Sequence, residues 1–283
     1  PWRALHVHLW QTYWKVSTIP SSFMEEIVSL KFLFSVLVGM VIGLLAGLTG
    51  MPLGALRLPA VYAVVPTPYV AAGTNLGIDA LSSLTGSYRY WKAGKVEPWI
   101  FLSMGSFSCL GSFFGGYFSH YLSHKWFLLV IGFVYLYTGI SMLWGTIWGV
   151  SISGGEVVPG GRKWVGMAAF WGFVLGFIGG MVGLLMGSLR VPAMIRGMGL
   201  PPALAAGTNM AISSFAALSG FIGHYIQKNF DVPVLLIMGL ASMAGAYLGS
   251  HLAVNLSPLA LRRLISTAIT LMATTLIVKS LRM

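Results

Sequence analysis

Charge is what this sequence has least of. Acidic side chains number six, and charged residues of both signs make up 8% of 283, where a soluble domain carries about 25%. So few carboxylates leave hydrolytic or ATP-driven chemistry little to stand on. No nucleophile–base–acid set and no Walker phosphate loop occurs, so the chain reads as a non-enzyme. Cysteine is nearly absent as well. The single Cys109 excludes an internal disulfide, lacks the His or Cys neighbours of a metal site, and reads as helix packing beside Gly111. A run of basic residues is also missing. The net charge of +11 therefore does not point to nucleic acid. The 17 Lys and Arg lie scattered at the ends of apolar runs, where membrane proteins carry the charges that set topology. No metal or other cofactor is expected. His120, His124, His224 and His251 lie near segment ends without ligand spacing and read as interfacial, and the 15 methionines are scattered core filling.

Apolar residues fill the space that charge leaves, at 57% of the chain. Runs such as Phe32–Leu48, Trp99–Tyr117, Phe127–Trp148 and Val232–Ala253 reach or approach the roughly 17–25 residues that cross hydrocarbon. None alternates in polarity as a barrel strand must. The fold class is therefore an all-α polytopic membrane protein embedded in a lipid bilayer. Segments at 31–48, 70–90, 98–119, 126–148, 164–182, 203–225, 232–254 and 260–280 give about eight transmembrane helices in two homologous four-helix halves. Residues 1–30, with Trp2, Trp10, Tyr13 and Trp14 among basic side chains, suit an N-terminal interfacial segment. The first repeat then covers 31–148, a polar linker loop 149–163, and the second repeat 164–283.

The halves are copies. Gly39–Tyr62 aligns with Gly172–Ile195 at a shift of 133, with 10 identities in 24 positions. Pro68–Gly86 aligns with Pro202–Gly220 at a shift of 134, with 9 in 19. Duplicated apolar segments interrupted by Gly and Pro are a transporter signature. In each half a Gly-rich break precedes about 11 apolar residues carrying a Pro, Ala55–Val65 and Ser188–Met198. Eleven helical residues rise about 16 Å, half the hydrocarbon thickness. These read as broken or re-entrant half-helices, and unwound backbone at such depth lines a cavity or is buried in protein.

The candidate substrate-binding residues sit at these repeats. The first break supplies Gly50, Gly54, Arg57 and Pro59; the second supplies Gly183, Gly187, Arg190 and Pro192. Helix N-termini there would attract an anion, and an arginine held at membrane depth normally faces a cavity or a partner. Both arginines could instead snorkel to headgroups. The second motif is Gly73-Thr74-Asn75 and its twin Gly207-Thr208-Asn209, whose polar side chains can meet a ligand, cap a helix or face the broken segment. Asp79, whose twin is Ser213, is the acidic residue well inside a segment. It is a proton-coupling candidate, or else the ion-pair partner of an arginine.

The duplicated break with its Pro, followed by Ala-Gly-Thr-Asn, resembles the TauE/SafE family of membrane anion transporters over about residues 32–281. The resemblance implies a carrier for a small anion such as a sulfur oxyanion, a sulfonate or an organic acid, and it implicates the Gly, Pro, Thr and Asn residues just named. Met51, Pro52 and Leu53 stand where a denser glycine cluster is usual, and Arg57 and Arg190 where apolar residues are usual. Two added positive charges would suit a more highly charged or larger anion. An anion channel on the same scaffold, or a ligand sensor or assembly subunit, are the rival readings. With eight crossings and re-entrant breaks, the Lys and Arg outside the broken segments divide eleven to three, placing both termini in the cytoplasm of a prokaryotic cell; if each broken segment is itself a crossing, the halves are oppositely oriented, and the sequence alone leaves that open. Gly111/Gly115 and Gly245/Gly249 permit packing within a monomer or between protomers in a homo-oligomer.

Overall fold

The computed structural model describes residues 21–49, 52–121 and 162–252, together with 126, 129–134 and 136–137. The interfacial segment to residue 20, most of the expected span at 126–148, the linker, the expected span at 260–280, and Gly50 lie outside the described residues. The described chain is helical: α1 (Ser21–Thr49), α2 (Gly54–Val64), α3 (Pro68–Lys92), α4 (Pro98–Phe118), α5 (Arg162–Val182), α6 (Gly187–Pro192), α7 (Pro202–Ile226) and α8 (Val232–Leu252). Among the described residues, five stretches are long and apolar enough to cross a membrane: Ser29–Gly47, Pro98–Tyr121, Val165–Val182, Leu204–Ile226 and Val232–Gly249. Helix α3 has the length, 25 residues, but is less apolar. Its first two-thirds are nearly all buried, Thr74, Asn75, Asp79, Ser82 and Ser83 included, so its polar groups face protein.

Small residues turn inward and large ones outward. On α1, Ser35, Gly39 and Gly43 meet protein while Phe32, Leu33, Leu37 and Val41 are exposed; on α4, Trp99, Leu102, Leu110 and Phe114 are exposed. Such a surface is what lipid tails contact and what water does not tolerate in large patches.

The halves interlock. Helix α1 packs on α8, and α5 packs on α4, so the first span of each half lies against the fourth helix of the other. The two interfaces are copies. Gly39 abuts the backbone of Met238 and Gly43 that of Ser242; Gly172 abuts Met104 and Gly176 abuts Ser108. From the other side, Gly245 meets Met40 as Gly111 meets Phe173. The sequence left Gly111/Gly115 and Gly245/Gly249 open between intramolecular and intersubunit packing; here they serve packing within the chain.

Contact order along each pair fixes direction. Met238 and Ser242 follow Gly39 and Gly43, so α1 and α8 are parallel. Asn229, Leu235 and Gly239 meet Gly73, Gly77 and Leu81, so α3 is parallel to α8 and hence to α1. The twin helices α3 and α7 run antiparallel, with Gly86 at Met210 and Gly77 at Phe221. The break and half-helix between α1 and α3 thus return the chain through the bundle instead of dipping in and out on one side, and the repeats are inverted. This corrects the re-entrant expectation. It also removes the ground for the eleven-to-three orientation. Lys31 and Lys228 share one end of the bundle, while Arg89, Lys92, Lys95, Arg162 and Lys163 lie at the other.

Candidate functional site

The two breaks differ in detail. In the first, α2 runs eleven residues with Pro59 inside it. In the second, α6 ends after six residues at Pro192 and continues as a wider turn over Ala193–Gly197. Gly183 has φ +77°, a conformation that costs other residues energy, and a Cβ there would strike Ala72 of α3. The second break therefore rests against the first half.

Asn75 joins the breaks. Its amide nitrogen donates to the carbonyl of Gly183 at 2.7 Å and to that of Gly54 at 3.2 Å. Its amide oxygen accepts from Arg57 Nε at 2.8 Å. Arg57 also donates through Nη2 to the Asn75 carbonyl at 3.3 Å and through Nη1 to Ser242 Oγ at 3.4 Å, while Nη2 pairs with Asp79 Oδ1. Gly54 lies so near Asp79 that a side chain there would meet the carboxylate. Arg57 is 2% exposed and Asp79 is fully buried, so this arginine is enclosed and does not snorkel. Among the two readings of Asp79, the ion pair with Arg57 is present.

The second half keeps the frame and loses the carboxylate. Arg190 is 1% exposed, and Asn209 and Ser213 are fully buried. Asn209 stands beside Gly187 as Asn75 stands beside Gly54. Among the described residues, Arg190 Nε and Nη1, both amide atoms of Asn209, and the hydroxyls of Ser108 and Ser213 have no hydrogen-bond partner. Buried polar groups are normally satisfied, so their being left open at four positions equivalent to the Arg57 network is unusual.

Thr74 and Thr208 have their hydroxyls engaged by protein. Thr74 Oγ1 donates to the Val70 carbonyl and accepts from the Asp231 N–H at 2.9 Å, at the start of α8. Thr208 Oγ1 donates to the Leu204 carbonyl and accepts from the Glu97 N–H at 2.9 Å, at the start of α4. Each threonine satisfies one of the free amides at the N-terminus of a helix of the other half. Gly73 and Gly207 admit the carbonyls of Asn229 and Lys95 beside them. Within the duplicated motif, then, Gly and Thr hold the other half's chain reversal, and Asn reaches the break.

Two participants escaped the sequence reading. Ser242 donates to the Gly39 carbonyl at 3.0 Å and receives Arg57. Its equivalence to Ser108 at the shift of 134 was the available signal. His224, expected at the interface, is fully buried; its ring nitrogens meet the Gly180 carbonyl at 3.0 Å and Ser119 Oγ at 3.3 Å.

The family model described as Sulfite exporter TauE/SafE matches residues 35–276. The chain is similar to three proteins of Bacillus subtilis (strain 168). It is 27% identical to the probable membrane transporter protein YunE, over 79% of this chain and 87% of that one. For the probable membrane transporter protein YdhB the identity is 27%, over 67% and 76%. For the probable membrane transporter protein YjnA it is 24%, over 83% and 95%. No solved structure matches.

Proposed function

We propose that this chain, which belongs to the TauE/SafE family of membrane transporters, is a secondary carrier moving a small anion across the cytoplasmic membrane of a prokaryote by alternating access. The substrate class is a sulfur oxyanion, a sulfonate or an organic acid. The observation that carries the reading is the Asn75 bridge between Gly54 and Gly183, with Arg57 bonded to Asn75 and a second buried arginine, Arg190, on the second half-helix. It joins the broken segments of inverted halves, the arrangement in which carriers hold substrate between discontinuous helices. Arg57 and Arg190 supply the positive potential. Gly54, Gly183 and Gly187, with Pro59 and Pro192 on the half-helices, shape the breaks, and Asn75 and Asn209 face them from α3 and α7. Thr74, Thr208, Gly73 and Gly207 support these asparagines by anchoring the opposite half. Rocking of the halves would expose the site alternately to the two sides.

The test is uptake of sulfite, sulfoacetate, acetate and sulfate into liposomes holding the purified protein, with and without a proton gradient. Saturable, concentrative uptake that the Asn75→Ala/Asn209→Ala pair abolishes is the expected outcome. Flux that only follows the anion's own gradient would make the protein a channel. Binding without flux would make it a sensor. Stimulation by the proton gradient would support coupling through Asp79.

A further inference from the structure

The shift that relates the halves maps Arg57 to Arg190, Asn75 to Asn209, Ser242 to Ser108 and Asp79 to Ser213. Three of the four pairs keep a polar group of the same kind; the fourth exchanges a carboxylate for a hydroxyl. Around Arg57 the quartet is connected. Arg57 is bonded to Asn75, Ser242 and Asp79, and Asp79 Oδ2 alone of the quartet has no partner among the described residues. Of the equivalent four, Arg190, Asn209, Ser108 and Ser213, every one is at most 1% exposed, and each has at least one polar atom without a partner among the described residues. Arg57 pairs with Asp79; among the described residues Arg190 has no such carboxylate partner.

We infer that the anion is received at Arg190, with Asn209 and Ser213 of the second half and Ser108 of the first at the equivalent positions, and that Asp79 fills the corresponding place beside Arg57 as a tethered anion. This rests on the anion-carrier reading and assigns its charge site. A guanidinium withdrawn from water favours an oxyanion as its partner, because two N–H donors match two oxygens. The first half displays the chemistry that this frame accepts, a single carboxylate. Asp79 cancels Arg57, so the two arginines and one aspartate leave a net charge of +1. A compact monoanion bearing a carboxylate or sulfonate group neutralises that charge. The expectation of a more highly charged anion, drawn from counting two arginines, is revised accordingly.

The experiment installs the missing carboxylate. Full-length wild type, Ser213→Asp and Ser213→Asn are purified in detergent. Their thermal unfolding is followed at low salt, alone and with methanesulfonate, acetate or sulfate, and uptake of the same anions is measured in liposomes. Ser213→Asp is expected to melt several degrees above Ser213→Asn without added anion, since it pairs a buried cation already present. It is also expected to lose the stabilisation that methanesulfonate or acetate gives wild type, and to bind them at least about tenfold more weakly. Sulfate should stabilise wild type less than the monoanions at equal ionic strength. The exchange variant Asp79→Ser/Ser213→Asp should recover the stability that Asp79→Ser loses. Ser213→Asp melting at or below Ser213→Asn, or binding the monoanions as wild type does, would overturn the assignment even with transport intact. Monoanion binding lost in Ser213→Asp, beside a wild type that carries no flux, would keep the site and remove the carrier reading.

Discussion

Arg57 and Arg190 occupy the same place in the two halves, and among the described residues only Arg57 has a counter-charge. The surroundings are otherwise copied closely. Gly39 meets Met238 as Gly172 meets Met104, and Thr74 receives the Asp231 amide as Thr208 receives that of Glu97. Duplication has kept what holds the halves together and has varied what sits beside the arginine. Interfaces made of glycine against backbone leave no room for change on either side, because a single Cβ collides. A buried side chain away from such a contact can change its chemistry, as Asp79 and Ser213 do at equivalent positions.

Breaking the one charged difference should have the largest effect. Asp79→Asn leaves Arg57 buried without its anion and is expected to cost about 3–5 kcal/mol of stability, read as a lowered unfolding transition in detergent. Its twin substitution, Ser213→Asn, leaves no charge newly unpaired and should cost only the added volume, about 1–3 kcal/mol. Equal losses at both positions would erase the asymmetry. Next come the shared interfaces. Gly43→Leu and Gly176→Leu force apart α1 from α8 and α5 from α4, and each should cost about 1–3 kcal/mol. The two losses should match, because the interfaces are copies; a large loss in one alone would mean that the halves are held differently. Smaller again, Thr74→Val and Thr208→Val each remove one acceptor and should cost about 1 kcal/mol. Hydrogen exchange would report this locally, with faster exchange at the Asp231 amide in the first variant and at the Glu97 amide in the second. The smallest effect belongs to Ser103→Ala. Ser103 is half-buried, and its hydroxyl donates to the Trp99 carbonyl one turn back on its own helix. A change beyond about 0.5 kcal/mol there would show that the lipid-facing surface carries energy that the halves' interior was assigned.

Much of the fold was legible in order and little of it in space. Helix positions at 70–90, 98–119, 203–225 and 232–254 agree with the described helices to within about two residues, because apolar length and N-terminal prolines mark them locally. The half-helices were visible as short apolar stretches after glycine. Whether they turn back or pass through was not, since eleven residues serve either course. Asn75, Arg57 and Gly54 could be singled out from their duplication, and Asp79 could be noticed as the lone acid of its segment. That Thr74 serves an amide 157 positions away in the chain had no local mark, since a threonine near a helix start looks the same when it caps its own helix. His224 looked interfacial because it lies near a helix end, yet that end is covered by Ser119 and the Gly180 backbone.

The sequence by itself determined that this is a duplicated, helical membrane protein of the TauE/SafE family, because apolar length, glycine breaks and a repeated Ala-Gly-Thr-Asn are local properties of the chain. Only the tertiary structure decided that the repeats are inverted and interlocked, that Asp79 belongs to Arg57, and that Arg190 stands without such a partner. These depend on which distant backbones approach closely enough to bond, and a few ångströms of separation determine that in a way composition and spacing do not encode.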